Sequence, residues 1–310
     1  MFRLVASWMV VLGTWAFVMS QTAMGMSFTL EDVYGTNYFS NTIVRYDSAG
    51  NVAETLAVPG GLADDIRGIA FGPDEFLYAV AARGSGFAVL ALDESGAVQA
   101  TYPYSSNYIR GNLSYGKIAF DRNNRFYVGG SSGVIQFDIG NESSGSRIFS
   151  TGTYDVESLP SGNLLALTGH RLYEIDTTGQ IIRQIRSFTD SRGVEYDPAE
   201  DAIYVTMLGH TGSYFQLMKL NGEDGALIDS TTFHYGDDMF LTTDDQLIVG
   251  SRTQSPGVFS KDLAHLGSFS GDDRMFVTQF VEIPKPATLS LLALGGLAMI
   301  RRRRKARIHG

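Results

Sequence analysis

The chain has 310 residues, 35 of them glycine, with 12% aromatic residues and a formal net charge of −9. It contains no cysteine, which excludes disulfide bonds, thiolate metal sites and cysteine nucleophiles. Eight of the 24 basic residues lie at the two ends, so the central part has 16 basic against 33 acidic residues, a charge of −17. Such a domain repels nucleic acid and anionic membrane surfaces, so neither is an expected partner of its body.

The chain begins with the features of a secretory signal. A short basic start is followed by an almost wholly apolar run over residues 4–19, and the small residues Ala23 and Gly25 occupy the positions that signal peptidase inspects. We therefore predict a signal helix over residues 1–25, signal peptidase as a partner, and export. The alternative is an uncleaved membrane anchor, which also predicts export.

A hairpin pattern then returns at intervals of 38 to 46 residues. Its clearest form is Asp176-Thr177-Thr178-Gly179, where an Asp that can bond its own backbone is followed by a Gly that accepts positive φ. The six copies have their Asp or Asn at Asp47, Asp93, Asp138, Asp176, Asn221 and Asp262, with the glycines Gly50, Gly96, Gly145, Gly179, Gly225 and Gly267. Periods near forty with β-turns are typical of a β-propeller.

A pair of apolar strands joined by a polar turn precedes five of these hairpins. The pairs begin near Ile69, Ile118, Val156, Val194 and Met239. Two inner strands and two outer strands make a four-stranded blade, so the pattern predicts an all-β propeller of six blades over residues 28–282, with seven as the alternative count. We expect the sixth blade to combine Asn41–Val58 with a strand at Met275–Phe280, because pairing the N- and C-terminal strands closes the ring and removes exposed edges.

The inner strands indicate the propeller family. Tryptophan occurs only at Trp8 and Trp15, so the Trp-Asp signature of WD40 repeats is missing. The apolar inner strands followed by Asp/Gly turns resemble those of NHL-like and gluconolactonase-like six-bladed propellers. Enzymes of the second group open lactones with a divalent metal held by a Glu and two Asn or Asp ligands, and the resemblance implies that chemistry as one expectation.

Acidic residues gather in the loops that enter the inner strands, which converge at one end of a propeller's channel. They are Asp64, Asp65, Asp155, Asp190, Asp237, Asp238, Asp272 and Asp273. A ring of carboxylates repels itself unless neutralised, so Ca²⁺, another divalent cation or a cationic ligand is the expected occupant. The alternative interpretation is that these residues are solvated turn formers.

Glu157 and Glu195 hold equivalent positions in successive inner strands. If both face the channel, they can ligate a divalent metal and activate water to open a lactone. The alternative is that strand alternation points them at solvent, or that they pair with Arg67 or Arg192.

The C-terminal segment predicts a membrane helix and a sorting signal. The short motif Pro284, Pro286, Ala287 and Thr288 precedes an apolar run to Ile300 and a cluster made of Arg301, Arg302, Arg303 and Arg304. Such a run enters a bilayer while the basic cluster stays on the cytoplasmic side. Residues 283–307 resemble the PEP-CTERM signal of exported bacterial proteins, although Lys285 stands where that family usually has Glu. The resemblance implies processing by the membrane enzyme exosortase, then release or attachment outside the cell.

Two functions follow from these patterns. The first is an exported bacterial β-propeller, anchored in the inner membrane before processing, that serves as a non-catalytic binding or scaffold module. It would act at the cell surface or in an exopolysaccharide matrix, with exopolysaccharide or another surface protein as partner. The second is a secreted divalent-metal-dependent lactonase or related hydrolase.

Overall fold

The computed structural model describes residues 28–29, 31–36, 40–59, 61–83, 86–104, 116–208, 215–233, 236–251, 254–270 and 276–279. Over these ranges the chain forms six antiparallel sheets of four strands each, which confirms the predicted all-β propeller of six blades. The predicted signal helix and membrane helix lie outside the described residues. Inside them, no helix is long and apolar enough to cross a bilayer.

We number the blades by the order of their innermost strands. Blade 1 contains β4 (Asp65–Phe71), β5 (Leu77–Arg83), β6 (Gly86–Leu92) and β7 (Val98–Tyr104); blade 2 contains β8 (Ile118–Phe120), β9 (Arg125–Gly130), β10 (Gly133–Asp138) and β11 (Asn141–Phe149). Blade 3 contains β12 (Asp155–Ser158), β13 (Leu164–Leu167), β14 (Arg171–Ile175) and β15 (Ile181–Ser187); blade 4 contains β16 (Ser191–Asp197), β17 (Ala202–Leu208), β18 (Phe215–Asn221) and β19 (Leu227–Phe233). Blade 5 contains β20 (Met239–Leu241), β21 (Gln246–Val249), β22 (Gly257–Ser260) and β23 (His265–Ser268); blade 6 contains β24 (Phe276–Gln279), β1 (Val33–Thr36), β2 (Thr42–Tyr46) and β3 (Val52–Ala57).

The blades close into a ring around a channel. Their innermost strands contact one another in the order β4, β8, β12, β16, β20 and β24, and β24 returns to β4. Six clusters of buried apolar side chains lie between neighbouring blades in the described part of the chain. Tyr78 and Val80 of blade 1, for example, pack with Ile118 and Phe126 of blade 2. The alternation of apolar residues along each strand therefore builds the seams between blades.

Blade 6 contains strands from both ends of the propeller, as the sequence predicts. Strand β24 pairs antiparallel with β1, so that Val33 faces Gln279 and Thr36 faces Phe276. Strands β2, β3 and β24 match those predicted for this blade, whereas β1 was not predicted. This strand has only four residues and no Asp-Gly turn beside it, so the repeat pattern does not mark it.

The Asp-Gly hairpins join the two outer strands of a blade and dock on the preceding blade. Asp176 Oδ1 accepts the N–H groups of Thr178 (2.8 Å) and Gln180 (2.9 Å), which fixes the turn. Gly179 has φ +85°, and a Cβ at this position would lie 1.8 Å from the carbonyl oxygen of Ile148 on β11. Glycine is thus required both for the backbone conformation and for the close approach. Positive φ also occurs at Gly50, Gly96 and Gly225, where the nearest atoms to an added Cβ belong to the side chains of Phe269, Leu56 and Ile185, at 2.5, 2.5 and 2.6 Å.

Two of the six glycines predicted to form turns lie in strands instead. Gly145 lies inside β11, and the hairpin of blade 2 turns at Gly140, which has φ +82°. Gly267 lies inside β23, and the positive φ in the turn of blade 5 belongs to Leu263, at 61°. In both blades the spacing from Asp to Gly is longer than in the other four, because the glycine belongs to the strand after the turn.

Candidate functional site

Lys117 extends its side chain across the centre of the ring. It stands immediately before β8 in blade 2, and its Nζ donates hydrogen bonds to the carbonyl oxygens of Val194 (2.8 Å) and Met239 (2.9 Å). The third hydrogen bond reaches Glu195 Oε2 at 3.0 Å. These acceptors belong to blades 4 and 5, so one side chain joins three blades. An ammonium group has three N–H bonds, and all three are used here.

Three further carboxyl groups surround the same ammonium group. Asp155 Oδ2 and Glu157 Oε2 each lie 3.7 Å from Lys117 Nζ. Asp238 Oδ1 lies 3.8 Å from it. Together with Glu195, they place four carboxyl groups around one positive charge. We call Lys117, Asp155, Glu157, Glu195 and Asp238 the channel cluster.

Asp155 and Asp238 also bind the backbone of the next blade. Asp155 Oδ2 accepts the N–H of Val194 at 2.6 Å, and Asp238 Oδ2 accepts the N–H of Val277 at 3.1 Å. In each aspartate the other oxygen accepts the N–H of the residue that follows it. These two carboxyl groups therefore connect neighbouring blades through the backbone, in addition to their contact with Lys117.

The crowding of acids shifts the ionisation of the channel cluster. Burial lowers the pKa of Lys117, but the carboxylates of Asp155 and its three neighbours outweigh burial and hold that pKa well above its ordinary value. Burial, with repulsion from Glu195, raises the pKa of Glu157 to about 8, although its side chain is 21% exposed and Lys117 opposes the shift. Burial raises the pKa of Asp238 to about 6. It also raises the pKa values of Asp155 and Glu195. Burial and mutual repulsion therefore favour protonation of the channel carboxyl groups, which lowers the excess negative charge around Lys117.

The structure describes four of the other predicted acids of this set. Asp65 forms a bidentate ion pair with Arg67 at 2.8 and 3.1 Å, and Asp190 forms an ion pair with Arg192 at 2.9 Å. Asp64 and Asp237 differ in burial, since Asp64 is exposed whereas Asp237 is 2% exposed and lines a small depression above Lys117. Asp272 and Asp273 lie outside the described residues, as do the sorting-signal residues Pro284, Pro286, Ala287, Thr288 and Arg301 to Arg304.

Glu157 and Glu195 both face the channel, where they approach Lys117. The alternative pairing of these glutamates with arginines does not occur, because Arg67 and Arg192 pair with Asp65 and Asp190. Sequence reasoning missed Lys117 itself. The repeat could have pointed to it, because Lys117 occupies the same position at the start of an inner strand that Asp155 and Asp238 hold in their own blades.

The residues of the channel cluster do not fit a divalent metal. Ca²⁺ takes six to eight oxygen ligands at about 2.3–2.6 Å, whereas the carboxylate oxygens here stand 3.0 to 3.8 Å from an ammonium nitrogen at their centre. Asp155 and Asp238 also use oxygens to accept backbone N–H groups. Over the described ranges, no group of three or more His, Asp or Glu side chains is arranged to hold a metal ion. Lys117 thus supplies the positive charge that the sequence analysis assigned to a bound cation.

No protein-family model and no curated protein matches the chain. Among solved structures, the fold is similar to a chain of a nidogen/laminin complex, with a TM-score of 0.60 and 14% identity, covering 81% of this chain and 98% of that one. It is similar to TolB from Acinetobacter baumannii, with a TM-score of 0.60 and 14% identity, covering 80% of this chain and 65% of TolB. A gluconolactonase from Xanthomonas campestris has a TM-score of 0.51 and 16% identity, covering 81% of this chain and 90% of the enzyme. At these identities the likeness is one of fold, and the fold is a six-bladed β-propeller.

Proposed function

We propose that this protein is an exported six-bladed β-propeller that acts as a non-catalytic binding or scaffold module at the cell surface or in an exopolysaccharide matrix. The observation that carries the non-catalytic part of this proposal is the contact of Lys117 with the channel acids, which argues against the lactonase alternative. A lactonase of the gluconolactonase-like type needs acids that converge on a metal with an open coordination position. Here Glu157 and Glu195 converge on an ammonium group whose three N–H bonds are already used.

The test of this proposal is a lactone-hydrolysis assay on the purified protein, together with metal analysis. We expect no bound stoichiometric metal, and no lactone opening above the uncatalysed rate with Ca²⁺, Mn²⁺ or Zn²⁺ added. The matched control is Glu157→Gln, which removes a channel carboxyl group and should leave that background rate unchanged. Metal-dependent opening that Glu157→Gln abolishes would establish the lactonase instead.

Export and sorting are supported by the two ends of the sequence. The N-terminal segment has the pattern that signal peptidase cleaves, and Pro284 and Pro286 with the arginine cluster resemble the PEP-CTERM signal. Exosortase is therefore the proposed processing partner, and the membrane is a transient anchor. Replacing both prolines with alanine should leave the protein in the inner-membrane fraction and reduce its release. Unchanged processing of that variant, measured by mass on immunoblots, contradicts the sorting proposal.

A further inference from the structure

A cleft of about 350 Å³ opens between blade 5 and blade 6, where the ring closes. We call it the seam cleft. This volume falls in the range of about 300–1,000 Å³ that is usual for small-molecule sites. The seam cleft is separate from the channel cluster, because none of the five channel residues lines it.

Beside the seam cleft, the outer part of blade 5 is short. Strand β23 has four residues, whereas the outermost strands of the other five blades have six to nine. The turn of blade 6 docks beyond the end of β23, where Gly50 packs on Phe269 and the ring of Phe269 stacks on Tyr46 with centroids 5.2 Å apart. Beside this contact, Leu266 and Gly267 line the open space.

The polar lining of the seam cleft is rich in hydrogen-bond acceptors. Carboxylates come from Glu31, Asp47 and Asp244, and amide groups come from Gln246 and Gln279. The described residues that line the cleft include no lysine, arginine or histidine. The charged side chains among these lining residues are all acidic, which disfavours an anionic ligand in a domain that already carries excess negative charge.

Part of this lining is held in place by hydrogen bonds. Gln279 Nε2 donates to the carbonyl oxygen of Glu31 at 2.7 Å, and Gln279 Oε1 accepts the N–H of Thr243 at 3.1 Å. Asp47 Oδ1 accepts the N–H of Ala49 at 3.0 Å within the hairpin. Fixed polar groups lose little conformational entropy when a ligand binds.

The apolar wall of the seam cleft is open to solvent. Leu266 is 56% exposed, and Val258 and Phe269 are half-buried beside it. Such a wall suits the C–H face of a sugar ring, while the hydroxyl groups of the ring donate to the carboxylate and amide oxygens opposite. A metal ion would make no favourable contact with the apolar wall, and the described acids include no group of three or more that could hold a metal ion.

We propose that the seam cleft binds one neutral hexose-type unit of an oligosaccharide or polysaccharide. This inference deepens the proposed binding role and rests on it, since it names the ligand class of a module whose channel is filled. We choose a neutral sugar because the described lining offers carboxylate and amide oxygens as hydrogen-bond acceptors, contains no basic side chain and includes an exposed aliphatic wall. A ligand carrying an amine is the competing occupant, because the same carboxylates attract a positive charge.

The test uses isothermal titration calorimetry on the purified full chain with three probe sets: neutral oligosaccharides of glucose, galactose, mannose and N-acetylglucosamine; glucosamine oligomers; and oligouronates. Gly267→Leu fills the cleft, because a Cβ at Gly267 meets nothing within 4 Å and φ there is not positive. Leu266→Ser removes the apolar wall. Its control is Ile228→Ser, which alters an equally exposed residue, 56% in both cases, on β19 of blade 4.

We expect at least one neutral oligosaccharide to bind, and Gly267→Leu to weaken that binding about tenfold or more, or about 1.4 kcal/mol. Leu266→Ser should weaken it several-fold, and Ile228→Ser should leave it unchanged. Binding of none of the neutral probes, preference for the glucosamine oligomers, or neutral binding that Gly267→Leu does not affect each overturns the inference. Matrix fractionation of secreting cells tests the proposed function separately, since a protein that binds no neutral sugar can still be retained there through another surface protein.

Discussion

Replacing Lys117 with methionine tests whether the channel cluster holds the blades together. Methionine keeps an apolar stem but removes the ammonium group, so the carbonyl oxygens of Val194 and Met239 lose their donor. Four carboxyl groups also lose their only close cation in the cluster. Removing one partner of a buried ion pair costs about 3–5 kcal/mol. We expect Lys117→Met to lower the free energy of unfolding by about that amount at pH 8. The loss should be smaller at pH 5, where more of the carboxyl groups are protonated.

The measurement is urea unfolding followed by circular dichroism or tyrosine fluorescence, because both tryptophans, Trp8 and Trp15, precede the propeller. The matched control is Lys219→Met. Lys219 is also a mostly buried lysine, but its two acidic partners reach solvent: Glu200, at 2.7 Å from Nζ, is 43% exposed, and Asp262, at 3.7 Å, is 94% exposed. A pair that reaches solvent contributes about 1 kcal/mol or less. Equal losses in the two variants, or a loss in Lys117→Met that is the same at pH 5 and pH 8, would refute the reasoning.

Folding raises the pKa of Glu157 from 4.5 to about 8 and that of Asp238 from 3.8 to about 6, so the folded state binds protons more tightly. The stabilisation that these two groups contribute is complete below about pH 4 and is lost as the pH rises to about 8. The free energy of unfolding, measured by chemical denaturation from pH 4.5 to 8, should therefore decline. A rise over this range would contradict the prediction. Gly179→Ala should destabilise the protein by about 2 kcal/mol more than Gly162→Ala. Both glycines have positive φ, but only at Gly179 would an added Cβ meet a backbone carbonyl oxygen, at 1.8 Å. Equal shifts of the melting temperature would contradict the docking of the hairpin. Millimolar Ca²⁺ should raise the thermal stability of Lys117→Ala but not that of the wild type, because loss of the ammonium group leaves room for a cation that bridges the carboxylates. Identical responses of the two proteins would show that Lys117 does not act as the resident cation.

Much of the candidate site was predictable because the blade repeat fixes the phase of each inner strand. The Asp-Gly hairpins located the inner strands, and that location brought Asp155, Glu157, Glu195 and Asp238 to the channel. The role of Lys117 was not predictable in the same way. Its carbonyl partners are 77 and 122 residues further along the chain, so no local pattern connects them.

The sequence alone determined the repeat and five of the inner strand pairs and predicted six blades, with seven as the alternative, because turn chemistry and apolar alternation are local properties of the chain. Only the tertiary structure decided which charged groups meet. Closing the ring brings the start of β8 against blades 3, 4 and 5, and one lysine then balances acids from several repeats. The seam cleft is likewise a product of closure, since it lies between blade 5 and a blade built from both ends of the propeller.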